Sequence, residues 1–442
     1  MNTLSPSPWL STFGINSRRP SPVNEMTGSF ASDFREGYDI NLGVGYVNDE
    51  TIPGEMIRRA LSEVLADPKQ YRNALNYGSA EGSPSLRSAL RHYYLNNDTG
   101  TLTSDDFNSL EITIGANGAT SILDSFAEII EPGIVITADP YYYIYCDTLQ
   151  RKGFEIITVP EDDQGMRIDL LQMTLQNIDI SRLRFFYIVT VNNPTGTILA
   201  NTRKQRIIEL AGEYSQKKQR LIPVLFDKAY EDIIHDPAAE KPVSGLKYDS
   251  AELVCEIGTF SKVIAPALRI GYMLTRNREL SKLIAQKASD IGFSAPLMNQ
   301  EITAWILTRF ADTQRRRVNE GYREKATRIR SFLYRTLGDD LRDLKGGSAG
   351  FYYYLTLPVP TGRESSFFSY LSRSTGIPEL DGQPEKKPRL VYIPGEYCVN
   401  RNGSMKAIGN RQLRISYGFE TIEHIEQAAI LIKEAIDYSK RC

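Results

Sequence analysis

Apolar residues in the first two thirds of the chain fall into short runs separated by stretches of helical periodicity. Seven runs are typical of buried strands: Leu110–Ile114, Ile134–Ala138, Glu155–Val159, Arg184–Val191, Leu221–Phe226, Leu253–Gly258 and Arg269–Leu274. Stretches between them, such as Thr202–Lys217, place apolar residues on one helical face. Near-continuous apolar strands that alternate with helices predict an α/β fold with a mostly parallel, seven-stranded sheet covered on both faces.

The pattern changes after about Arg278, where longer helices are predicted over Leu280–Gly292 and Met298–Leu337. From Asp339 onward, short strands mix with a last helix over Ile422–Ser439, which predicts a smaller α+β domain. The first 40 residues are rich in Ser, Pro and Asn, so an irregular arm is expected there. We predict an arm over residues 1–40, a small domain formed by 41–65 and 325–442, and a large domain over 66–324.

Composition excludes several classes of protein. Lysine plus arginine (52) and aspartate plus glutamate (54) nearly balance, so no basic excess indicates nucleic acid or an anionic membrane as a partner. The four cysteines are far apart and only three histidines occur, which predicts neither a disulfide framework nor a metal site. No secretory signal and no apolar run near the ~20 residues of a membrane helix are found, so we expect a cytoplasmic protein.

Chemically distinctive residues follow three successive strands. Asn193 comes after the fourth predicted strand, Asp227 after the fifth and Lys262 after the sixth, with Arg269 shortly beyond. Each has an ordinary explanation, as a turn, a helix cap or a solvated side chain. One crossover unit separates each from the next, however, which predicts that they meet at the ligand-binding edge of the sheet. An amine, a carboxylate, hydroxyls and a guanidinium together suit a phosphorylated pyridine aldehyde.

The surrounding motifs resemble the class I and II aminotransferases, which are pyridoxal-phosphate enzymes of fold type I. The resemblance covers roughly residues 40–442, and the motifs that carry it are NYGSAEGSPSLR (76–87), TIGANGA (113–119), DPYYY (139–143), NNPTG (192–196), FDKAY (226–230), GTFSKVIAPALRIGY (258–272), YIPGEY (392–397) and RQLRISYG (411–418). It implies a large domain with the parallel sheet and a smaller α+β domain from the terminal segments.

The resemblance also implies a role for each matching residue. Lys262 would form the Schiff base with pyridoxal 5′-phosphate and act as general base, and Asp227 would keep the pyridine nitrogen protonated. Tyr230 and Asn193 would hydrogen-bond the ring's phenolate oxygen, and Tyr142 would stack on the ring. The phosphate would be bound by residues of a cup and by a tyrosine from the neighbouring subunit: Ala116, Asn117, Thr259, Ser261, Arg269 and Tyr77.

An amino acid and a 2-oxo acid are the implied substrates, and a homodimer with shared active sites is the implied assembly. Arg414 resembles the arginine that clamps the substrate α-carboxylate, and Gly45 resembles the glycine whose backbone lies beside the substrate, near Asn193. One departure lies close to the lysine motif. Ala267 replaces the family's glycine, which is tolerable where that backbone is not at positive φ.

The arm sequence SRRPSPVNEM resembles the substrate-covering segment of the aminoadipate and kynurenine aminotransferases. Val23 and Asn24 stand where an arginine is expected in that branch, so a buried ω-carboxylate would lack its partner. We therefore expect aromatic or large neutral substrates, with 2-oxoglutarate as acceptor. An acidic substrate would need Arg18 or Arg19 to reach in from the arm.

Two other functions remain open. Another fold type I enzyme, catalysing C–S β-elimination, cyclising γ-elimination or oxidation, would use the same residues because the cofactor is the electron sink in all of these reactions. An effector domain of an aminotransferase-like transcription regulator would need a DNA-binding module. The residues before Gly43 show no helix-turn-helix pattern.

Overall fold

The computed structural model describes residues 9–18, 20–31, 34–71, 74–96, 101–382 and 387–442. Its large sheet has eight strands in the order Glu111–Ile114, Gly271–Thr275, Val254–Thr259, Val224–Asp227, Leu183–Val189, Ile134–Asp139, Glu155–Asp162 and Gly165–Met166. The third to the seventh run parallel, and the second is antiparallel to both neighbours. The predicted α/β fold is confirmed, and the two-residue strand Gly165–Met166 adds an eighth strand to the seven predicted.

Both faces of this sheet are buried, as the apolar runs predict. Alternate residues of one strand enter different core clusters: Phe186 and Ile188 pack with Trp305, whereas Phe185 and Tyr187 pack on the other side. The α-helices of the described chain are Thr12–Asn16, Pro22–Ala31, Gly54–Ala66, Pro84–Asn96, Gly118–Ile129, Tyr143–Arg151, Ile168–Asn177, Asn201–Lys218, Arg278–Gly292, Leu297–Leu337, Ser366–Ser372, Pro378–Asp381, Lys406–Gly409 and Ile422–Ser439.

A smaller antiparallel sheet forms a second core. Its strands, in spatial order, are Asp343–Gly346, Tyr352–Thr356, Gln412–Ser416 and Ile393–Pro394. A short parallel pair joins Ile40–Asn41 to Leu390–Val391, which ties the chain after the arm to this region. The 41-residue helix Leu297–Leu337 belongs to both cores and passes residue 325 without a break. The predicted domain boundaries therefore stay a prediction.

The arm is more regular than predicted. It contains the helices Thr12–Asn16 and Pro22–Ala31, so the expectation of irregular structure is wrong. Val23, Met26 and Phe30 recur at helical spacing and are buried against the rest of the chain. The ring of Phe30 meets that of Phe368 edge-on, with centroids 6.2 Å apart. Tertiary burial thus forms a helix that local composition does not indicate.

The part of the chain that the structure describes contains neither a membrane-spanning helix nor a cluster of metal-ligating side chains. None of its helices combines the length and the apolar character needed to cross a membrane. Its histidine, cysteine, aspartate and glutamate side chains form no group of three or more that suits a metal ion.

Candidate active site

Four neighbouring parallel strands bring predicted residues to one edge of the large sheet. Lys262 follows Val254–Thr259, Asp227 ends the next strand, and Asn193 follows Leu183–Val189. Tyr142 follows the fourth of these strands and precedes the helix Tyr143–Arg151. Because the carboxyl ends of parallel strands share an edge, residues distant in sequence meet there.

A cavity of about 1450 Å³ opens at this edge, between the two sheets and the arm helix. Six of the predicted residues line it: Gly45, Tyr142, Asn193, Tyr230, Lys262 and Arg414. The arm contributes several lining residues as well, including Val23, Asn24 and Phe30. The arm helix therefore covers one side of the cavity.

The Lys262 amine lies among the carbonyl and aromatic groups of this cavity. Its Nζ donates a hydrogen bond to the carbonyl oxygen of Gly45 at 3.2 Å. The same nitrogen is 5.7 Å from the ring centroid of Tyr230 and 5.6 Å from that of Phe351. The amine is thus largely desolvated.

Desolvation lowers the pKa of Lys262 from its ordinary 10.5 to about 8. The positive charges of Arg414 and Arg269 act in the same direction, and the Asp227 carboxylate opposes them. An amine with this pKa has an accessible neutral form near physiological pH. It is therefore suited to act as a nucleophile and as a proton acceptor.

Asp227 is a buried carboxyl group held by two hydrogen bonds. Its Oδ2 accepts a hydrogen bond from the Tyr187 hydroxyl at 2.9 Å, and its Oδ1 accepts one from the Ala229 amide at 3.0 Å. Burial raises its pKa, whereas these bonds and the charge of Lys262 lower it. A carboxyl group held in this way is suited to pair with a cation brought into the cavity.

Arg414 is buried and keeps hydrogen-bonding capacity. Its Nη1 donates to Oδ1 of Asn193 at 2.9 Å, and its Nη2 donates to the carbonyl oxygen of Gly43. Its Nε is buried without a hydrogen-bond partner, and the described residues supply no carboxylate in an ion pair with this guanidinium. A buried cation with no anionic partner favours an anion in the cavity.

A second cluster of donors lies beside Lys262. The Thr259 hydroxyl donates to the Ser261 hydroxyl at 2.9 Å, and the Arg269 guanidinium donates to both oxygens of Asn117 at 2.8 and 3.1 Å. Asn117 precedes the 12-residue helix Gly118–Ile129, and the N-terminus of a helix favours an anion through its unpaired amides and its dipole. Gly118 has φ +71°, and a Cβ there would lie 3.0 Å from Nη2 of Arg269.

Residues 39–385 match the family Aminotransferase class I and II. The chain belongs to this family. It is a pyridoxal-phosphate-dependent aminotransferase of fold type I, as the sequence motifs indicate.

Individual relatives of this aminotransferase are distant but cover most of its length. The Aromatic-amino-acid aminotransferase 1 of Thermococcus litoralis is 26% identical over 365 residues, which are 81% of this chain and 79% of the relative. The 2-aminoadipate transaminase of Thermus thermophilus is 24% identical over 419 residues, 94% of each chain. The crystal structure of a multiple substrate aminotransferase from Thermococcus profundus shares the fold, with a TM-score of 0.81, 22% identity and 98% of both chains covered.

The donor set of this aminotransferase fits pyridoxal phosphate. The hydroxyls of Thr259 and Ser261, the Arg269 guanidinium and the helix N-terminus suit the phosphate, and no carboxylate lies among these groups. The low-pKa amine of Lys262 suits the aldehyde, and the buried Asp227 suits the ring nitrogen.

Three further predicted positions have different outcomes. Ala116 is buried directly before Asn117, at the start of the helix. Tyr77 is 73% exposed, packs against Phe293 with centroids 5.1 Å apart, and is not brought to the cavity of its own chain. Ala267 is not at positive φ; the left-handed residue of this loop is Arg269, at φ 54°. The condition for tolerating alanine is therefore met.

Sequence reasoning missed Tyr352, which the structure places in the centre of the site. Its hydroxyl is 2.8 Å from that of Tyr230, and its ring centroid is 4.5 Å from the Arg414 guanidinium carbon. The run Phe351–Tyr354 in a predicted strand was the available signal. Side chains alternate between the two faces of a strand, and the sequence does not identify which of the two faces is directed toward the site.

Proposed function

We propose that this aminotransferase takes its amino group from aromatic or large neutral L-amino acids and passes it to a 2-oxo acid such as 2-oxoglutarate. The observation that carries the proposal is the charge of the cavity lining. Within the described residues, the lysine and arginine side chains that line it are Lys262, Lys325 and Arg414. Lys325 donates to the carbonyl oxygens of Gly418 and Glu420 at 3.0 and 2.9 Å, so it is already engaged.

The rest of the lining favours a neutral side chain. Exposed carboxylates line it at Glu36, Asp49, Glu50 and Glu423, and their charge disfavours a second carboxylate on the substrate. Aromatic rings supply contact area for an aromatic or long aliphatic group: Phe30, Phe34, Tyr46, Tyr142, Tyr143, Tyr352 and Phe419. The aromatic-amino-acid relative from Thermococcus litoralis agrees with this preference.

Of the two arginines expected to rescue an acidic substrate, the one that the structure describes does not line the cavity. Arg18 is exposed and is not among the lining residues, and Arg19 lies outside the described residues. Asn24 lines the cavity and is exposed. We propose that the second carboxylate of 2-oxoglutarate stays hydrated at this open side.

The roles of the site residues follow from their positions. We assign binding of the α-carboxylate to Arg414, because Asn193 and the Gly43 carbonyl orient its guanidinium and its Nε remains available. Lys262 lies beside Gly45 with a lowered pKa, so it accepts the α-proton of the substrate and later returns a proton.

The remaining roles concern the cofactor. When bound, pyridoxal phosphate supplies an aldehyde that accepts the amino group and a ring that stores the electron pair released with the α-proton. We assign Asp227 to the proton on the ring nitrogen, Tyr230 and Asn193 to the phenolate oxygen, and Tyr142 to the ring face. The phosphate is assigned to Ala116, Asn117, Thr259, Ser261 and Arg269.

We also propose a homodimer in which Tyr77 reaches the phosphate of the neighbouring subunit. Tyr77 and Phe293 form an exposed aromatic pair, 73% and 64% exposed, and Leu75 beside them is 82% exposed. An exposed apolar group of this kind marks interaction surfaces. Sedimentation equilibrium is expected to return twice the chain mass, and Tyr77→Ala to weaken cofactor binding. A monomer that binds the cofactor fully would contradict this assembly.

Substrate preference provides the main test of the proposal. We expect kcat/KM for phenylalanine, kynurenine and leucine to exceed that for aspartate and aminoadipate. An acidic side chain must either be buried without a partner, which is costly, or stay hydrated and forgo contact with the aromatic lining. Initial rates with each donor and saturating 2-oxoglutarate measure the order. A higher kcat/KM for aspartate or aminoadipate than for all three neutral donors would overturn the substrate assignment.

Asn24 offers a matched pair of variants for the same test. Asn24→Lys adds a cation at an exposed lining position and is expected to raise kcat/KM for aminoadipate about two- to fivefold, the scale of an exposed ion pair. The KM for 2-oxoglutarate should fall by a similar factor. Asn24→Gln adds length without charge and should change neither value. Equal responses of the two variants would show that Asn24 does not face the substrate's distal group.

A further inference from the structure

Tyr352 contacts three groups of the site from the small sheet. Its hydroxyl lies 2.8 Å from the Tyr230 hydroxyl, and both side chains are buried. The Arg414 guanidinium lies over its ring at 4.5 Å. A Cβ at Gly45 would overlap the Tyr352 hydroxyl, and the next nearest atom, Cζ of the same ring, would be 3.5 Å away.

We propose that Tyr352 is a positioning residue of this aminotransferase. Its hydroxyl sets the hydrogen-bond donor strength of Tyr230, and its ring supports the guanidinium of Arg414. The proposal rests on the roles of Tyr230 and Arg414 given above, and it adds a residue from the strand Tyr352–Thr356 that none of the sequence motifs contains.

The direction of the hydroxyl–hydroxyl bond follows from proton counting. A tyrosine hydroxyl has one proton, so when Tyr230 donates to the phenolate oxygen of the cofactor, Tyr352 must donate to Tyr230. A hydroxyl that accepts one hydrogen bond becomes a stronger donor in the next. With the cofactor bound, Tyr352 would therefore strengthen the hydrogen bond that Tyr230 donates to the phenolate oxygen, and would so lower the pKa of the group that titrates there.

Tyr352 makes two further contacts: its ring packs against the Arg414 guanidinium, and its hydroxyl lies close to the backbone of Gly45. The face of an aromatic ring attracts a guanidinium and fixes its plane, so Tyr352 orients Arg414 toward the substrate carboxylate. The Tyr352 hydroxyl also occupies the space that a side chain at position 45 would need. Gly45 also offers its carbonyl oxygen to Lys262 at 3.2 Å, so a side chain that displaced this segment would move an acceptor of the lysine amine.

The strand provides matched controls for the hydroxyl. Tyr354 points to the same face, is buried, and its hydroxyl has no hydrogen-bond partner among the described residues. Tyr353 points to the opposite face, and its buried hydroxyl donates to the Ala326 carbonyl oxygen at 2.7 Å. Tyr354→Phe thus removes a buried hydroxyl that makes no hydrogen bond. Tyr353→Phe removes a buried hydroxyl together with its hydrogen bond, on the face away from the site.

The first experiment titrates the visible absorbance of the bound cofactor against pH in the holoenzymes. Removal of the donor in Tyr352→Phe leaves more charge on the phenolate oxygen, so the midpoint of the titration should rise by about 0.5–1 pH unit. Tyr354→Phe and Tyr353→Phe should titrate with the wild type. All four proteins keep the other titratable groups near Tyr230, which are Tyr142, Lys262 and Arg414.

The second experiment separates the ring from the hydroxyl. Tyr352→Leu removes the support for Arg414 and is expected to raise KM about fivefold or more for every amino-acid donor and 2-oxo-acid acceptor together. Tyr352→Phe keeps the ring and should keep KM within about twofold. A KM change in Tyr352→Phe that equals that of Tyr352→Leu would overturn the separate roles.

The third experiment tests the contact with Gly45 by rescue. Gly45→Ala should lower kcat/KM strongly in the wild-type background, because its Cβ meets the Tyr352 hydroxyl. In Tyr352→Phe the nearest atom becomes Cζ at 3.5 Å, an ordinary contact, so the double variant should be more active than Gly45→Ala alone. A double variant no better than the single one would contradict this contact.

These outcomes distinguish failure of the proposed function from failure of the role given to Tyr352. If the wild type binds no pyridoxal phosphate, or its absorbance shows no titration, the proposed roles of Lys262 and Tyr230 fail. If the wild type titrates but Tyr352→Phe coincides with Tyr354→Phe, those roles stand and the role of the Tyr352 hydroxyl is overturned.

Discussion

Replacing Lys262 with alanine is expected to lower kcat by about 10³-fold or more, because nucleophile and proton carrier are lost together. The variant should still bind pyridoxal phosphate through the donor cluster around Arg269 and Thr259. In the wild type, borohydride reduction and peptide mapping should place the pyridoxyl group on the peptide that contains Phe260–Ser261–Lys262. Steady-state rates with a neutral donor measure the loss.

Lys325 is the internal control for this labelling experiment. It lines the same cavity and is also buried, but its amine is bound to two backbone carbonyl oxygens. Its peptide should remain unlabelled. A pyridoxyl group on the Lys325 peptide, or a Lys262→Ala variant with near-normal kcat, would refute the assignment of Lys262.

The second large effect is expected at Asp227. Asp227→Asn keeps the shape of the side chain and removes its charge, so under the proposed assignment the ring nitrogen of the bound cofactor would lose the group that keeps it protonated. We expect kcat to fall by about 10²–10⁴-fold, the range of a single electrostatic contribution in a buried site. Single-turnover measurements with a neutral donor should show the loss in the chemical step.

Asp139→Asn is the matched control for this charge removal. Asp139 is also a buried aspartate at the end of a parallel strand. Its Oδ2 accepts a hydrogen bond from the Thr158 hydroxyl at 2.9 Å, whereas the charge of Asp227 acts on Lys262. Burial raises the pKa of Asp139 to about 7, so both variants are compared with the wild type above this pH, where Asp139 carries its charge. Its variant should retain kcat within about threefold. An Asp227→Asn variant that behaves like Asp139→Asn would mean that another group holds the ring nitrogen.

The sheet and the residues at its edge were predictable because the apolar runs and the spacing between the chemically distinctive residues indicate the same architecture. Apolar runs identified the strands, and crossover spacing placed Asn193, Asp227 and Lys262 at their carboxyl ends. The seven predicted strands begin and end within three residues of the observed limits. Strand Glu155–Asp162 extends three residues past its predicted end and pairs with the two-residue strand Gly165–Met166.

Features that depend on packing between distant segments were not predictable in this way. The arm helix is stabilised by burial of Val23, Met26 and Phe30 against residues far along the chain, which local composition cannot show. Tyr352 and Tyr354 share one face and look alike in sequence. Only the position of Tyr230, brought from the other sheet, gives the Tyr352 hydroxyl a partner.

The central claim is that the Lys262 site exchanges an amino group between an amino acid and a 2-oxo acid, and a half-reaction tests it most directly. Phenylalanine is mixed with the holoenzyme in the absence of any acceptor, while cofactor absorbance, 2-oxo acid and ammonia are followed. We predict loss of the aldehyde absorbance, about one equivalent of phenylpyruvate per site and no ammonia, with recovery of the absorbance on adding 2-oxoglutarate. Continuous ammonia release without an acceptor, or unchanged absorbance with every neutral and acidic donor, would contradict the account.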